Sequence, residues 1–230
     1  MSVLDKAESL DGYREACMAS EPNAIARRGQ RYELASISKT AENFLIEAVQ
    51  SLPLLKGSEM VILDSSADNG FPHTRPPNYI CIPASMCAEA PASPSFRETL
   101  VHEAIHLHQR RYKGVWEASL KRAGWSPVPK GSIPDECLER LRLNPDTIGV
   151  PFYSFNKYYI PLPLFGPNPI LQTARVEWLD IRTGAVFHEA PKEFTRKYGS
   201  NINQPEHPYE IYAELFSKRK EDILECLSNI

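Results

Sequence analysis

Apolar positions along this chain recur at two periods, one helical and one extended, and these divide it into elements. The first fifty residues carry helical spacing. Its clearest stripe is Phe44, Leu45, Ala48, Val49 and Leu52, behind a candidate cap at Thr40. Pro53 and Gly57 then break the pattern. Met60-Val61-Ile62-Leu63 is too short a run for a helix and reads as a buried strand, with Tyr79-Ile80-Cys81-Ile82 as a second. Residues 64–77 between them are dense in Asp, Asn, Gly and Pro and read as loop.

A Pro- and Ala-rich loop follows, and then a strong helix start, with Ser93 at the cap and Pro94 at the first helical position. This helix is predicted to reach about Tyr112, where Lys113-Gly114 ends the pattern. Residues 114–150 read as mainly irregular or short-helical, with a candidate helix over Asp135–Leu143. Phe152–Phe165 is aromatic and β-branched but broken by Pro161 and Pro163, which reads as strand and edge. Ala174–Leu179 and Ala185–His188 flank Arg182-Thr183-Gly184, a hairpin signal. A last helix is predicted over Pro208–Leu227, its apolar face Ile211, Leu215, Ile223 and Leu227.

Composition narrows the function classes. Hydrophobic residues make up 42% and charged residues 24%, the balance of a globular domain. The formal net charge is −3 with Lys and Arg scattered, so no nucleic-acid partner is expected. No apolar stretch is long enough to span a bilayer, and the N-terminus lacks the apolar core of a secretory signal. Cysteines at 17, 81, 87, 137 and 226 are odd in number and lack CxxC spacing. That pattern suits reduced thiols, so a cytoplasmic location is expected.

The candidate chemistry lies in the Pro94 helix, at His102-Glu103-Ala104-Ile105-His106. Two histidines four residues apart share a helix face, so both imidazoles can reach one cation. Zinc favours such nitrogens, and a catalytic site uses three protein ligands beside one open position for water. Glu103 flanks that position and is the candidate general base. The plainer reading is two helix-face histidines with a chance Glu between them. His108, about 200° around the helix from His106, belongs to the far face and reads as a packing histidine.

A third ligand is sought in Pro208-Tyr209-Glu210-Ile211-Tyr212-Ala213-Glu214-Leu215-Phe216. Glu210 and Glu214 share one helix face and would repel one another without a cation or histidine partner. A solvated acidic face is the alternative, but the apolar neighbours suggest burial. His207, at the start of this helix, and Glu214 compete with Glu210 for the role.

An HExxH helix followed by a helix with Glu-x-x-x-Glu resembles the gluzincin branch of the zincin metallopeptidases. The segment 209–216 is similar to the corresponding helix of the anthrax lethal factor type of protease. The match covers about 25 residues in two blocks. The resemblance implies a zinc-dependent peptidase in which Glu210 is the third ligand of Zn2+, Glu214 braces a zinc-bound histidine, and an upstream tyrosine, here Tyr198, stabilises the oxyanion. It also implies an α+β, zincin-like fold of one domain over residues 1–230. A small mixed sheet packs on the active-site helix, the last helix completes the site, and about 114–197 forms an insertion. The strand at 79–82 would be the edge that pairs with an extended polypeptide substrate. A zinc hydrolase of a non-peptide substrate and a non-enzymatic module with structural zinc stand as alternatives.

Overall fold

The computed structural model describes residues 1–89, 94–219 and 227. Helix α1 (Val3–Asp11) opens on a capping box between Ser2 and Asp5. Gly12, at φ 59°, lets α2 (Tyr13–Ala19) follow without a loop, and α3 (Glu21–Ala26) comes next. Helix α4 (Lys39–Gln50) is capped by Ser38, whose Oγ accepts the Ala41 N–H at 3.2 Å. The extended backbone of Ser38 makes it the cap, and Thr40 falls inside the first turn.

Strands β1 (Glu59–Leu63), β2 (His73–Arg75) and β3 (Tyr79–Pro83) form a sheet of order β1-β3-β2, with β1 parallel and β2 antiparallel to β3. Strand β3 is therefore central, with all its residues buried, and the expectation of an open edge at 79–82 is corrected. The strand that displaces it, β2, lies inside the segment expected as loop. His73, Thr74 and Arg75 show no apolar alternation, yet all three are buried. Arg75 is held there by Asp11 and Glu8 carboxylates and the Tyr32 hydroxyl. The outer side of β2 is also closed, because Thr74 donates its N–H and its hydroxyl to Asp146 Oδ1, at 2.7 and 2.6 Å.

Helix α5 (Ala84–Glu89) precedes α6 (Pro94–Arg111); the expected cap at Ser93 lies outside the described residues. After α6 the chain kinks at Tyr112 and restarts as α7 (Lys113–Arg122), which buries Trp116 and Leu120 four residues apart. Strand β4 (Trp125–Val128) and a short α8 (Asp135–Glu139) follow. Strands β5 (Phe152–Phe155), β6 (Tyr159–Leu164), β7 (Arg175–Asp180) and β8 (Ala185–Phe187) join β4 in an antiparallel sheet that follows chain order. Prolines fit in β6 because β5 pairs with it only at Phe155–Tyr159. Beyond that point the same side meets the 140–142 segment, where Pro163 needs only its carbonyl, accepting the Arg142 N–H at 2.8 Å. Helices α9 (Lys192–Tyr198) and α10 (Pro208–Ser217) complete the order. Residues 220–226, expected to continue the last helix, lie outside the described residues.

The main core joins Leu100, Val101, Ala104 and Ile105 of α6 to Ile211 and Ala213 of α10, and also to Trp116, Trp125, Phe155, Trp178 and Phe194. Residues 114–197 thus share the core of α6. Among the described residues no helix is long and apolar enough to cross a membrane. The chain is a mixed α+β fold with small sheets and several helices.

Candidate metal centre

Helices α6 and α10 pack directly on each other, and three side chains converge at their contact. His102 and His106 lie one turn apart on α6, and Glu210 sits in the first turn of α10, where the helix dipole favours a carboxylate. The two Nε2 atoms are 3.0 Å apart, and Glu210 Oε2 lies 3.3 Å from that of His102 and 3.2 Å from that of His106. Tetrahedral ligands at the bond lengths zinc prefers stand about 3.3–3.4 Å from one another. The trio therefore has the spacing of three corners of a zinc site.

The surrounding hydrogen bonds prepare these donors. Gln109, one turn beyond His106, donates its amide to the Tyr209 carbonyl at 2.9 Å, which turns Oε1 toward His106 Nδ1 at 2.8 Å. His106 Nδ1 therefore carries the proton, and in the neutral ring Nε2 keeps its lone pair for a ligand. Glu210 offers Oε2 to the histidines while Oε1 accepts from Asn144 Nδ2 at 2.9 Å. Burial would raise the Glu210 carboxyl, but His106 and His102 outweigh it and hold the group well below the usual carboxylate range. Burial would lower His106, yet the Glu210 carboxylate lifts it to about 10.

Glu103 lies beside the trio, buried, with Oε2 lacking any hydrogen-bond partner. Burial first, and then the Asp146 carboxylate, push its carboxyl well above the ordinary range. Two imidazole nitrogens and a carboxylate oxygen within reach of one another, with an orphaned carboxyl oxygen nearby, form a donor set that could hold a metal ion. Donor chemistry and charge both fit zinc.

His102 and Glu210, with Glu103, line a cleft of about 700 Å³ whose walls also include His73, Asn144, Asp146, Val176, Asn203 and Glu206, and His106 lies buried behind them. Several expected site residues lie elsewhere. His207 caps α10 by accepting the Tyr209 N–H on Nδ1 at 3.1 Å, and its Nε2 donates to the Pro151 carbonyl at 3.2 Å. Both nitrogens are committed, and burial pushes the ring down to about 4. Glu214 does not brace a histidine. Its carboxylate accepts the N–H groups of Asn203 (2.8 Å) and Gln204 (3.2 Å) and pairs with Lys218, so it pins the loop at the cleft mouth. Gln109 occupies the bracing place that the resemblance gave to Glu214. Tyr198 is packed against Phe155, Phe194 and Tyr212, and its hydroxyl accepts the Trp125 indole N–H at 2.8 Å. It is absent from the cleft wall because that aromatic cluster draws it into the core. His108 is a packing residue, accepting the Trp116 indole N–H at 3.0 Å.

Three residues of the site escaped the sequence reading. Gln109 had a signal, since it lies three residues from His106 on the same face. Asn144 had none, because only the fold carries its loop to Glu210, and Glu206 meets the site through Asn144. Compared with family models, curated proteins and solved structures, the chain matches none.

Proposed function

We propose that this chain is a zinc-dependent hydrolase of the peptidase type, with a zincin-like arrangement of α6, α10 and the three-stranded sheet. The observation that carries the reading is the convergence of two imidazole nitrogens and one carboxylate oxygen at 3.0–3.3 Å, with His102, Glu210 and Glu103 on the wall of a cleft. His102, His106 and Glu210 would hold the ion. Zinc there would supply Lewis acidity and lower the pKa of a bound water to about 7. With the ion's charge beside it Glu103 would be ionised, accept the proton of the attacking water and pass it to the leaving amine. Gln109 keeps His106 in its ligand tautomer, and the buried setting strengthens each charge interaction. A structural zinc would need no base beside it and no opening to a cleft, so the catalytic reading is favoured.

The substrate is proposed to be a polypeptide held within the cleft. A zinc hydrolase acting on a non-peptide substrate is the second reading, and one observation favours it. The strand that borders the cleft, β2, has its outward Thr74 N–H already bonded to Asp146, so it offers no partner to an extended chain at that residue.

The deciding experiment measures zinc content by mass spectrometry and hydrolysis of a peptide library by wild-type protein and Glu103→Gln. One zinc per chain is expected in both, with hydrolysis about 10²–10⁴-fold lower in the variant. Loss of the metal from Glu103→Gln would make Glu103 a structural residue and end the mechanism. Zinc uptake with no peptide cleaved would favour the second reading.

A further inference from the structure

The loop at 141–146 touches three separate parts of the molecule. Asn23 donates its side-chain amide to the Leu141 carbonyl at 2.8 Å and accepts the Leu143 N–H at 2.9 Å, while the Leu143 carbonyl accepts from Arg27 at 2.9 Å. Asp146 holds β2 through Thr74. Between these anchors, Asn144 faces α10. Its Oδ1 accepts the Asp146 N–H at 2.9 Å, which fixes the amide so that its two N–H groups point the other way. One goes to Glu206 Oε1 at 2.8 Å and the other to Glu210 Oε1 at 2.9 Å. Glu206 is itself secured by Arg142 through its second oxygen.

Glu210 therefore has one oxygen committed to Asn144 and the other committed to the histidines. An unrestrained carboxylate can turn to present either oxygen, or both, to a cation. The amide removes that freedom, since swinging Oε1 toward the histidines would break a charge-assisted hydrogen bond in a buried place. We propose that Asn144 is a positioning residue that holds Glu210 as a one-oxygen metal ligand and so keeps a coordination position free for water. The inference rests on the metal-centre reading above.

Its test is the zinc affinity of the full chain, by competition with a chromogenic chelator, and the visible spectrum of the cobalt(II)-loaded protein. Asn144→Asp keeps the acceptor for the Asp146 N–H and loses the donor; Asn144→Leu loses both while keeping the branch at Cγ. In each variant the zinc dissociation constant is expected to rise about 10–100-fold. The cobalt absorption should weaken as a second carboxylate oxygen joins and the coordination number rises, while the metal-free protein still unfolds in one transition. A folded variant with wild-type zinc affinity and an unchanged cobalt spectrum would overturn the proposal. So would failure of both variants to fold, because Asn144 would then be a builder of the fold. Wild-type protein that takes up no zinc, or Glu210→Ala that binds as wild type does, would instead end the metal-centre reading itself.

Discussion

Trp125 gives its indole N–H to Tyr198, so removing that hydroxyl should be felt in stability and not in turnover. Tyr198→Phe leaves a buried N–H without an acceptor, a cost of about 1–3 kcal/mol. Urea unfolding should report that loss with kcat unchanged; a fall in kcat without a fall in stability would return Tyr198 to the site. Glu210 and Glu214 should separate in the same manner. Glu210→Ala is expected to lose zinc on dialysis, whereas Glu214→Ala keeps it and loosens the Asn203–Gln204 backbone, read as faster amide exchange there. If the dialysis result is reversed, Glu214 is the ligand. At this scale the sequence revealed what helical spacing can carry. His102, His106 and Glu210 stand out by period and by an acidic residue among apolar neighbours. The partners that orient them do not stand out, because an asparagine in a loop looks the same whether it meets solvent or, as Asn144 does, two glutamates.

Among the elements, α10 is tied to pH through its cap. His207 is neutral when folded, with its ring pushed down by burial from 6.5 to about 4. Below pH 6.5 the unfolded chain binds a proton that the folded chain refuses, so stability is complete above that value and falls as pH drops toward 4. The slope of that loss is about 1.4 kcal/mol per pH unit. His207→Asn retains an oxygen to accept the Tyr209 N–H but cannot titrate. Metal-free protein unfolded in urea at pH 7 and at pH 5 should lose less stability in the variant than in the wild type; equal losses would remove His207 from the account. Elements were legible where a single side faces the core. The Phe44–Leu52 stripe is of this kind, whereas the Pro94 helix and the Arg182–Gly184 hairpin are read from their cap and turn residues, since Glu103–His106 and Trp178–Asp180 are buried in succession. Helix α7 lies in a stretch that reads only as irregular or short-helical, because Lys113-Gly114 reads as a stop, although Trp116 and Leu120 repeat at helical spacing beyond it. Strand β2 had no apolar period to read, its burial resting on ion pairs made with α1.

For the molecule as a whole, the shared core predicts one cooperative unit. Trp178, on β7, packs on Phe194 with ring centroids 4.7 Å apart and belongs to the same cluster as the apolar residues of α6. Trp178→Ala should cost about 3–5 kcal/mol and lower a single transition. Far-UV circular dichroism and tryptophan fluorescence should coincide through it. Two transitions, one left at the wild-type midpoint, would mean that 114–197 is an independent body after all. The closure of the three-stranded sheet also governs how molecules meet one another. An exposed strand edge is a template on which a second copy can add its own strand, and such pairing seeds aggregates. Here Asp146 takes the outward Thr74 N–H on one edge, and residues 33–35 bond to the Ile62–Asp64 end of β1 on the other. The loop that carries Asn144 to Glu210 thus also covers this edge, so the same segment closes one place where crowded copies could pair.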